Sequence, residues 1–230
     1  MFRGNLKRRS WVKEKICQVY DAIDYARLHP ISTLRKQAHE ETIEFILQNC
    51  PKALGLRSSR QLLDYSLEKV AVAGAFMEFG VYKGASLNHI AKHRPDQTIH
   101  GFDSFFGLAK DWVTNPESTF SVKGQLPKVL ANVRLHQGYF DQTLPQWVEN
   151  YQDNVAFLHI DCDLYSSTVT VFDYLKDRLQ PGTIIVFDDY FNFVNWKEDG
   201  HKAFRELIER ERLTFNYLGY GYKELAVQLT

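Results

Sequence analysis

From Ala75 onward the chain alternates short apolar runs with helical patterns, and that alternation restricts it to few folds. The runs at 75–79, 98–102, 132–136, 154–160 and 183–187 have the length and near-continuous apolarity of strands buried on both faces. Between them Leu87 and Ile90 belong to one helix, and Phe172, Leu175 and Leu179 face inward from another. Strands separated by helices pair in parallel through right-handed crossovers, which makes this an α/β chain. A helix at about 200 to 212, with Ala203, Phe204, Leu207 and Ile208 inward, leads to two closing runs, 213–218 and 224–229. The short link through Gly219, Tyr220 and Gly221 makes that last pair antiparallel.

The first third has a different texture. Val12, Ile16, Val19, Tyr20, Ile23 and Ala26 form an apolar stripe at helical spacing over 11–27. Further helices are expected at 40–48 and at 59–72, the latter opened by Ser58 and Ser59 and carrying Leu62, Leu63, Leu67 and Val70. The chain therefore divides into a helical N-terminal extension or lid, 1–72, and an α/β domain, 73–230, within a length that supports one sizeable core. A net charge of +0, from 28 basic and 28 acidic residues, leaves no global field to attract nucleic acid or an anionic membrane, so a small neutral substrate is expected. The local imbalance at Arg3, Lys7, Arg8, Arg9, Lys13 and Lys15 is followed by no apolar stretch of signal-peptide length, and nothing later approaches a membrane span. Cys17, Cys50 and Cys162 suit neither a disulfide framework nor a zinc site. The chain reads as cytoplasmic, with reduced thiols. The amphipathic first helix is available to dock on another subunit of a homo-oligomer or to cap its own site.

The first strand runs into Glu78-Phe79-Gly80-Val81-Tyr82-Lys83-Gly84-Ala85-Ser86. Gly80 allows a sharp turn, and Gly84 allows close backbone approach or helix packing, as in a nucleotide-binding turn. About twenty residues on, the second strand ends at Asp103, where an acid can accept hydrogen bonds from ribose hydroxyls. Dinucleotide enzymes favour three glycines and a pyrophosphate on the helix N-terminus. Here there are two, with Glu78 just before them, an arrangement that suits the ammonium of S-adenosylmethionine better than a diphosphate. Two glycines after a strand also suit an ordinary βα turn. Gly138-Tyr139-Phe140-Asp141, at the end of the third strand, is either an adenine pocket or a plain turn.

Acidic pairs end the next two strands: Asp161-Cys162-Asp163 after 154–160, and Asp188-Asp189 after 183–187. Neighbouring parallel strands lie about 4.8 Å apart, so these carboxylates converge on one rim. Crowded carboxylates take up protons or splay apart unless a cation sits among them. An all-oxygen set favours a hard ion, Mg²⁺ before Zn²⁺, with Ca²⁺ or Mn²⁺ as alternatives. Solvated strand ends or an ion-pair network are the plainer readings. Strand alternation turns Cys162 away from Asp161 and Asp163, and His159, on their face, is either a ligand or a core histidine.

With these motifs assembled, the chain resembles the macrocin O-methyltransferase family, which methylates sugar hydroxyls in macrolide and aminocoumarin biosynthesis. The resemblance rests on Glu78-Phe79-Gly80-Val81 with Gly84, Asp103-Ser104-Phe105 with Gly107-Leu108, and Gly138-x-Phe140 with Thr143-Leu144-Pro145. It continues through Asp161-x-Asp163-Leu164-Tyr165-Ser166-Ser167-Thr168 and Asp188-Asp189-Tyr190. It implies a Rossmann-like class I methyltransferase sheet of seven strands, mostly parallel with the last antiparallel. It also implies S-adenosyl-L-methionine contacted by Glu78, Gly80, Gly84, Ser86, Asp103, Ser104, Gly138, Phe140 and Asp161. By the same resemblance Mg²⁺ is held by Asp161, Asp188 and Asp189, and Asp163 is the general base for transfer to a hydroxyl of a sugar or other natural-product acceptor. Three features depart from the family: Ala109-Lys110-Asp111-Trp112 after Gly107-Leu108, the aromatic insertion Asn192-Phe193-Val194-Asn195-Trp196, and the N-terminal helices.

Other classes compete. A cofactor-binding relative without transfer activity, a hydroxylase-type component, a metal-dependent phosphoryl hydrolase and a non-catalytic binding module could each carry part of this pattern. Phe105, Phe106, Trp112, Phe191, Phe193 and Trp196 make the expected lid and rim aromatic, which suits either stacking on an acceptor or plain cover.

Overall fold

The computed structural model describes residues 15, 16, 18, 19, 28–113 and 115–230. Of the first amphipathic stripe, Ile16 and Val19 are helical and exposed, while Val12, Tyr20, Ile23 and Ala26 lie outside the described residues. Helix α1 (Pro30–Asn49) starts on Pro30, with His29 Nδ1 capping the Ile31 N–H at 3.2 Å. Helix α2 (Ser59–Lys69) starts on Ser58, whose hydroxyl accepts from Gln61 N. The remaining helices are α3 (Ala85–His93), α4 (Phe140–Asn150), α5 (Tyr165–Leu175) and α6 (Gly200–Glu211).

The strands are β1 (Leu54–Gly55), β2 (Ala75–Phe79), β3 (Ile99–Asp103), β4 (Val133–Gln137), β5 (Val155–Ile160), β6 (Ile184–Phe187), β7 (Phe215–Tyr220) and β8 (Leu225–Leu229). They form one sheet in the order β1-β7-β8-β6-β5-β2-β3-β4, in which β8 runs antiparallel to both its neighbours and every other pair is parallel. The expected seven strands are present with their ends within two residues. The eighth, β1, is two residues pairing Leu54 and Gly55 with Gly219 and Tyr220, too short to leave a periodic signal. Helix α4 was also hidden, because Pro145 lies inside it and its sequence reads as a turn.

Period-two alternation sorts the buried side chains onto two faces. On one, Leu62, Leu63 and Leu67 of α2 and Leu87 and Ile90 of α3 pack on Phe76, Ile99, Phe157 and Val186. On the other, Trp147 of α4, Phe172 of α5 and Phe204 of α6 cover Phe79, Phe102, Ile160 and Phe187. Helix α1 docks beside this second face through Phe45, whose ring lies 6.0 Å from Tyr190 and 5.6 Å from Trp196. Asn192 N also donates to Thr42 Oγ1, and Lys197 pairs with Glu41 at 2.9 Å. The aromatic insertion after the second acidic pair is therefore the seat of α1. Among the described residues no helix is long and apolar enough to cross a membrane.

Candidate active site

Strand order reverses between β2 and β5: from β2 the chain builds outward through β3 and β4, from β5 through β6 in the opposite direction. Loops leaving such a pair diverge and open a crevice at the C-terminal strand ends. Gly80 and Asp161 stand there, with Asp161 N–H donating to Phe79 O at 2.8 Å and Gly80 N–H to Phe102 O at 3.0 Å. Gly80 has φ +95°, and a Cβ on it would sit 1.7 Å from the Asp161 carbonyl oxygen, so only glycine fits. The crevice opens into a cavity of about 580 Å³, large enough for a nucleoside-sized ligand with part of an acceptor.

Of the residues expected to bind a cofactor, Gly80, Asp103, Ser104, Gly138, Phe140 and Asp161 line this cavity. Asp103 also anchors its wall: Oδ2 accepts from Val81 N and Tyr82 N at 2.8 and 2.7 Å, and Oδ1 from Phe105 N at 2.6 Å. Oδ2 is thereby filled, while Oδ1 keeps a second lone pair for a ligand hydroxyl. Glu78, Gly84 and Ser86 are not among the lining residues. Glu78 is fully buried and directly across from His159 of β5, whose Nδ1 lies 2.8 Å from its Oε2. Burial raises the Glu78 pKa, with His159 and the nearby Ser86 pulling it back. Glu78 alternates with Met77 and Phe79 along β2, so its side chain lies on the side where His159 approaches Asp161 and Asp188. Gly84 instead caps α3 in a left-handed conformation, φ +75°.

The four aspartates converge as expected, and all line the cavity. One oxygen each from Asp161, Asp163 and Asp189 lies within 4.8 Å of the others, and the same holds for Asp161, Asp188 and His159. The expected ligand triple is thus divided between two sets that share Asp161. Asp163 sits in the left-handed region at φ +59°, inside a tight turn closed by Leu164 N–H to Cys162 O at 2.6 Å. That turn aims its carboxyl at Asp189, and such strain recurs at functional positions.

Burial, then the charges of Asp188, Glu78, Asp163 and Asp189, hold Asp161 well above the usual carboxylate range. Burial and Asp189 push Asp163 up to about 8, and burial raises Asp188 although His159 offsets it. Without a counter-cation the rim therefore retains protons.

Lys223, in the link between β7 and β8, is the residue that the sequence reading missed. Its ammonium bonds to Asp189 at the cavity wall, and although burial alone would lower its pKa, Asp189, Asp188 and Asp163 raise it. A lone lysine in a short hairpin carries no sequence signal; only the pairing of β8 with β6 brings it to the rim.

The aromatic residues divide clearly. Phe105, Phe191, Phe193 and Trp196 are buried cover, and Phe106 is exposed. Of the six, only Trp112 lines the cavity, pinned by its Nε1–H to Asp199 at 3.1 Å. Tyr82, Phe120, Tyr139 and Phe140 are the other aromatic wall residues. The long segment 104–128 folds back over this wall, with Leu108 and Thr119 exchanging a bond at 3.0 Å and Phe105 O accepting from Gly124 N at 2.9 Å. Among the described cysteines, Cys50 and Cys162 are buried and free.

Residues 77–190, which span the glycine turn, the crevice and both acidic pairs, match the family described as a methyltransferase domain. This segment is a methyltransferase domain. A 4'-O-methyltransferase of Streptomyces olivaceus that acts on a dimethoxy-rhamnosyl tetracenomycin is 28% identical over 155 residues. That match covers 56% of this chain and 58% of the relative, so the chain spans little more than half the length of that protein. Among solved structures, a calicheamicin methyltransferase superposes with a TM-score of 0.62 at 23% identity, over 86% of this chain and 93% of the other. The O-methyltransferase NovP gives 0.56 at 20% identity, over 74% and 79%. The resemblance to the macrocin O-methyltransferase family read from the sequence is borne out, and the sheet of the methyltransferase domain is the class I fold expected.

Proposed function

We propose that the protein is an S-adenosylmethionine-dependent O-methyltransferase acting on a hydroxyl of a small molecule, a sugar or another natural-product moiety. One observation carries the reading: four aspartates converge on the same cavity that the glycine turn, Asp103 and Gly138 line. The similarity to a rhamnosyl 4'-O-methyltransferase supports a glycosidic hydroxyl as acceptor. In this reading Gly80 and Gly138 let the backbone approach the cofactor, Asp103 receives its ribose, and Phe140 flanks its adenine.

The donor set fits a hard divalent cation, Mg²⁺ first, because it offers carboxylate oxygens, and because burial and mutual repulsion already drive protons onto it. Asp161, Asp188 and Asp189 would hold the cation, with Lys223 sharing Asp189. S-adenosylmethionine supplies the methyl group on a sulfonium, and a bound cation supplies the Lewis acidity that lowers the pKa of an acceptor hydroxyl. Asp163, on its strained turn beside Asp189, takes the hydroxyl proton. Tyr139, Trp112 and the first residues of α5, Ser166, Ser167 and Thr170, wall the remaining space where the acceptor is oriented and water excluded.

Calorimetric titration of the whole chain with S-adenosylhomocysteine, with and without Mg²⁺, followed by methyl transfer to a panel of glycosides, tests this. Binding with turnover that chelator removes is the expected result. Absence of S-adenosylhomocysteine binding retires the cofactor reading, and full activity in excess chelator retires the cation.

A further inference from the structure

A second ligand set lies on the opposite face of the sheet, between α2 and α3. His89 and His93 stand one helical turn apart on α3, so both imidazoles project from one side, and Asp64 of α2 faces them. The Nε2 atoms of both rings converge on a single oxygen, Asp64 Oδ1, at 2.5 Å from His89 and 3.2 Å from His93. The rings are 4.5 Å apart, and ligand atoms of the three residues all lie within 4.8 Å of one another.

The hydrogen bonding of His93 gives this convergence chemical meaning. Its Nδ1 lies 3.2 Å from the His89 carbonyl oxygen, an atom that can only accept, so Nδ1 carries the proton of that bond. In the neutral ring Nε2 is then a bare lone pair aimed at a carboxylate oxygen. Two lone pairs at 3.2 Å repel unless a proton or a metal lies between them. A backbone carbonyl holding the far nitrogen of a histidine is also the support that metal-ligating imidazoles use to fix tautomer and orientation.

We infer that Asp64, His89 and His93 form a binding site for a borderline transition-metal ion, Zn²⁺ in the first instance, separate from the aspartate rim. Two imidazoles and one carboxylate suit Zn²⁺, Co²⁺, Ni²⁺ or Cu²⁺ and not Mg²⁺. Three protein ligands leave the fourth tetrahedral position to water. Zinc bonds of roughly 2.0 to 2.1 Å require ligand atoms about 3.3 Å apart, so Asp64 and His93 are already spaced for it and Asp64 and His89 need open by less than about 1 Å. His93 and Asp64 are partly exposed, which gives the ion a path from solvent. An ion here would clip α2 to α3, the helix that follows the glycine turn, and so steady the cavity wall from behind.

The test is titration of the full chain with Co²⁺ in excess Mg²⁺, read by visible absorption, and with Zn²⁺ by calorimetry. One equivalent with a tetrahedral Co²⁺ spectrum is expected, displaced by Zn²⁺. His93→Ala, at an exposed ring, should weaken binding at least tenfold, as should Asp64→Asn, while Asp188→Asn should leave it unchanged. No spectrum with the parent chain, or equal affinity in His93→Ala, overturns the site; loss in Asp188→Asn alone would assign the ion to the rim instead. None of these outcomes depends on whether the chain methylates anything.

Discussion

Replacing Lys223 by methionine removes the ammonium bonded to Asp189 while keeping most of the side chain's length. At a contact of about 4 Å and an effective dielectric near 20, one ion pair is worth about 4 kcal/mol. Asp163 and Asp188 feel the same charge, which adds to the loss. Against this, Lys223 is a third exposed, with a side-chain accessibility of 32% against 7% for Asp189, and its removal recovers a desolvation cost. The rim carboxylates can also take up protons. The net loss should be about 2 to 3 kcal/mol in chelator at pH 8, or roughly 5 to 10 °C in Tm for a chain of this size. Urea unfolding of parent and Lys223→Met, each with EDTA and with saturating Mg²⁺, measures it. Mg²⁺ should narrow the gap, because a bound cation takes over the charge balance. Equal stability of the two chains in EDTA would show that Lys223 neutralises nothing, and a gap untouched by Mg²⁺ that stabilises the parent would separate the lysine from the cation site.

Three further outcomes follow from the same structure. Asp163→Asn should lower turnover by roughly 10² to 10⁴-fold with S-adenosylhomocysteine affinity kept. The folded pKa of Asp163 is raised to about 8, so in the parent this group costs stability as pH rises from the ordinary carboxylate range through about 8. Without added cation the asparagine variant should therefore gain on the parent over that interval, and a constant difference in urea midpoint would contradict the assignment. His100 accepts from Trp147 Nε1 at 3.2 Å through Nδ1, and burial holds its pKa at about 4. A folded pKa below the unfolded value near 6.5 means stability is lost as pH falls from about 6.5 to about 4, by at most about 3 kcal/mol for this residue; His100→Phe should flatten that limb of the pH profile. Phe45→Ala should cost about 2 to 3 kcal/mol in chemical denaturation, because it empties the contact of α1 with Tyr190 and Trp196; a loss below about 0.5 kcal/mol would mean α1 is only loosely seated.

Much of this was written locally. Buried parallel strands need continuous apolar runs, so β2, β3, β5 and β6 were legible with their boundaries, and strand ends fixed where Gly80, Asp103, Asp161 and Asp188 must stand. The acids that follow those runs announced a charged rim without any knowledge of the sheet order. What stayed illegible depends on partners distant in sequence. Phe191, Phe193 and Trp196 suited acceptor stacking and plain cover equally, because aromatic residues in a loop read alike whether they stack on a ligand or on another helix. The docking of Phe45 from α1 makes Phe191 and Trp196 cover, and Trp112 packs on Phe193.

The site shows the same division. Sequence alone determined the residue types: glycine where the chain turns at the first strand, acids at the ends of three strands, and a composition without a global charge. Tertiary structure decided their use. Glu78 is paired with His159 because β2 and β5 are neighbours in register, and through His159 it stands next to Asp161 and Asp188. Lys223 reached the rim because β8 inserts antiparallel beside β6. Side-chain period and turn chemistry act within a few residues and can be read along the chain. Strand order and helix docking minimise free energy over the whole core, and no local segment records them.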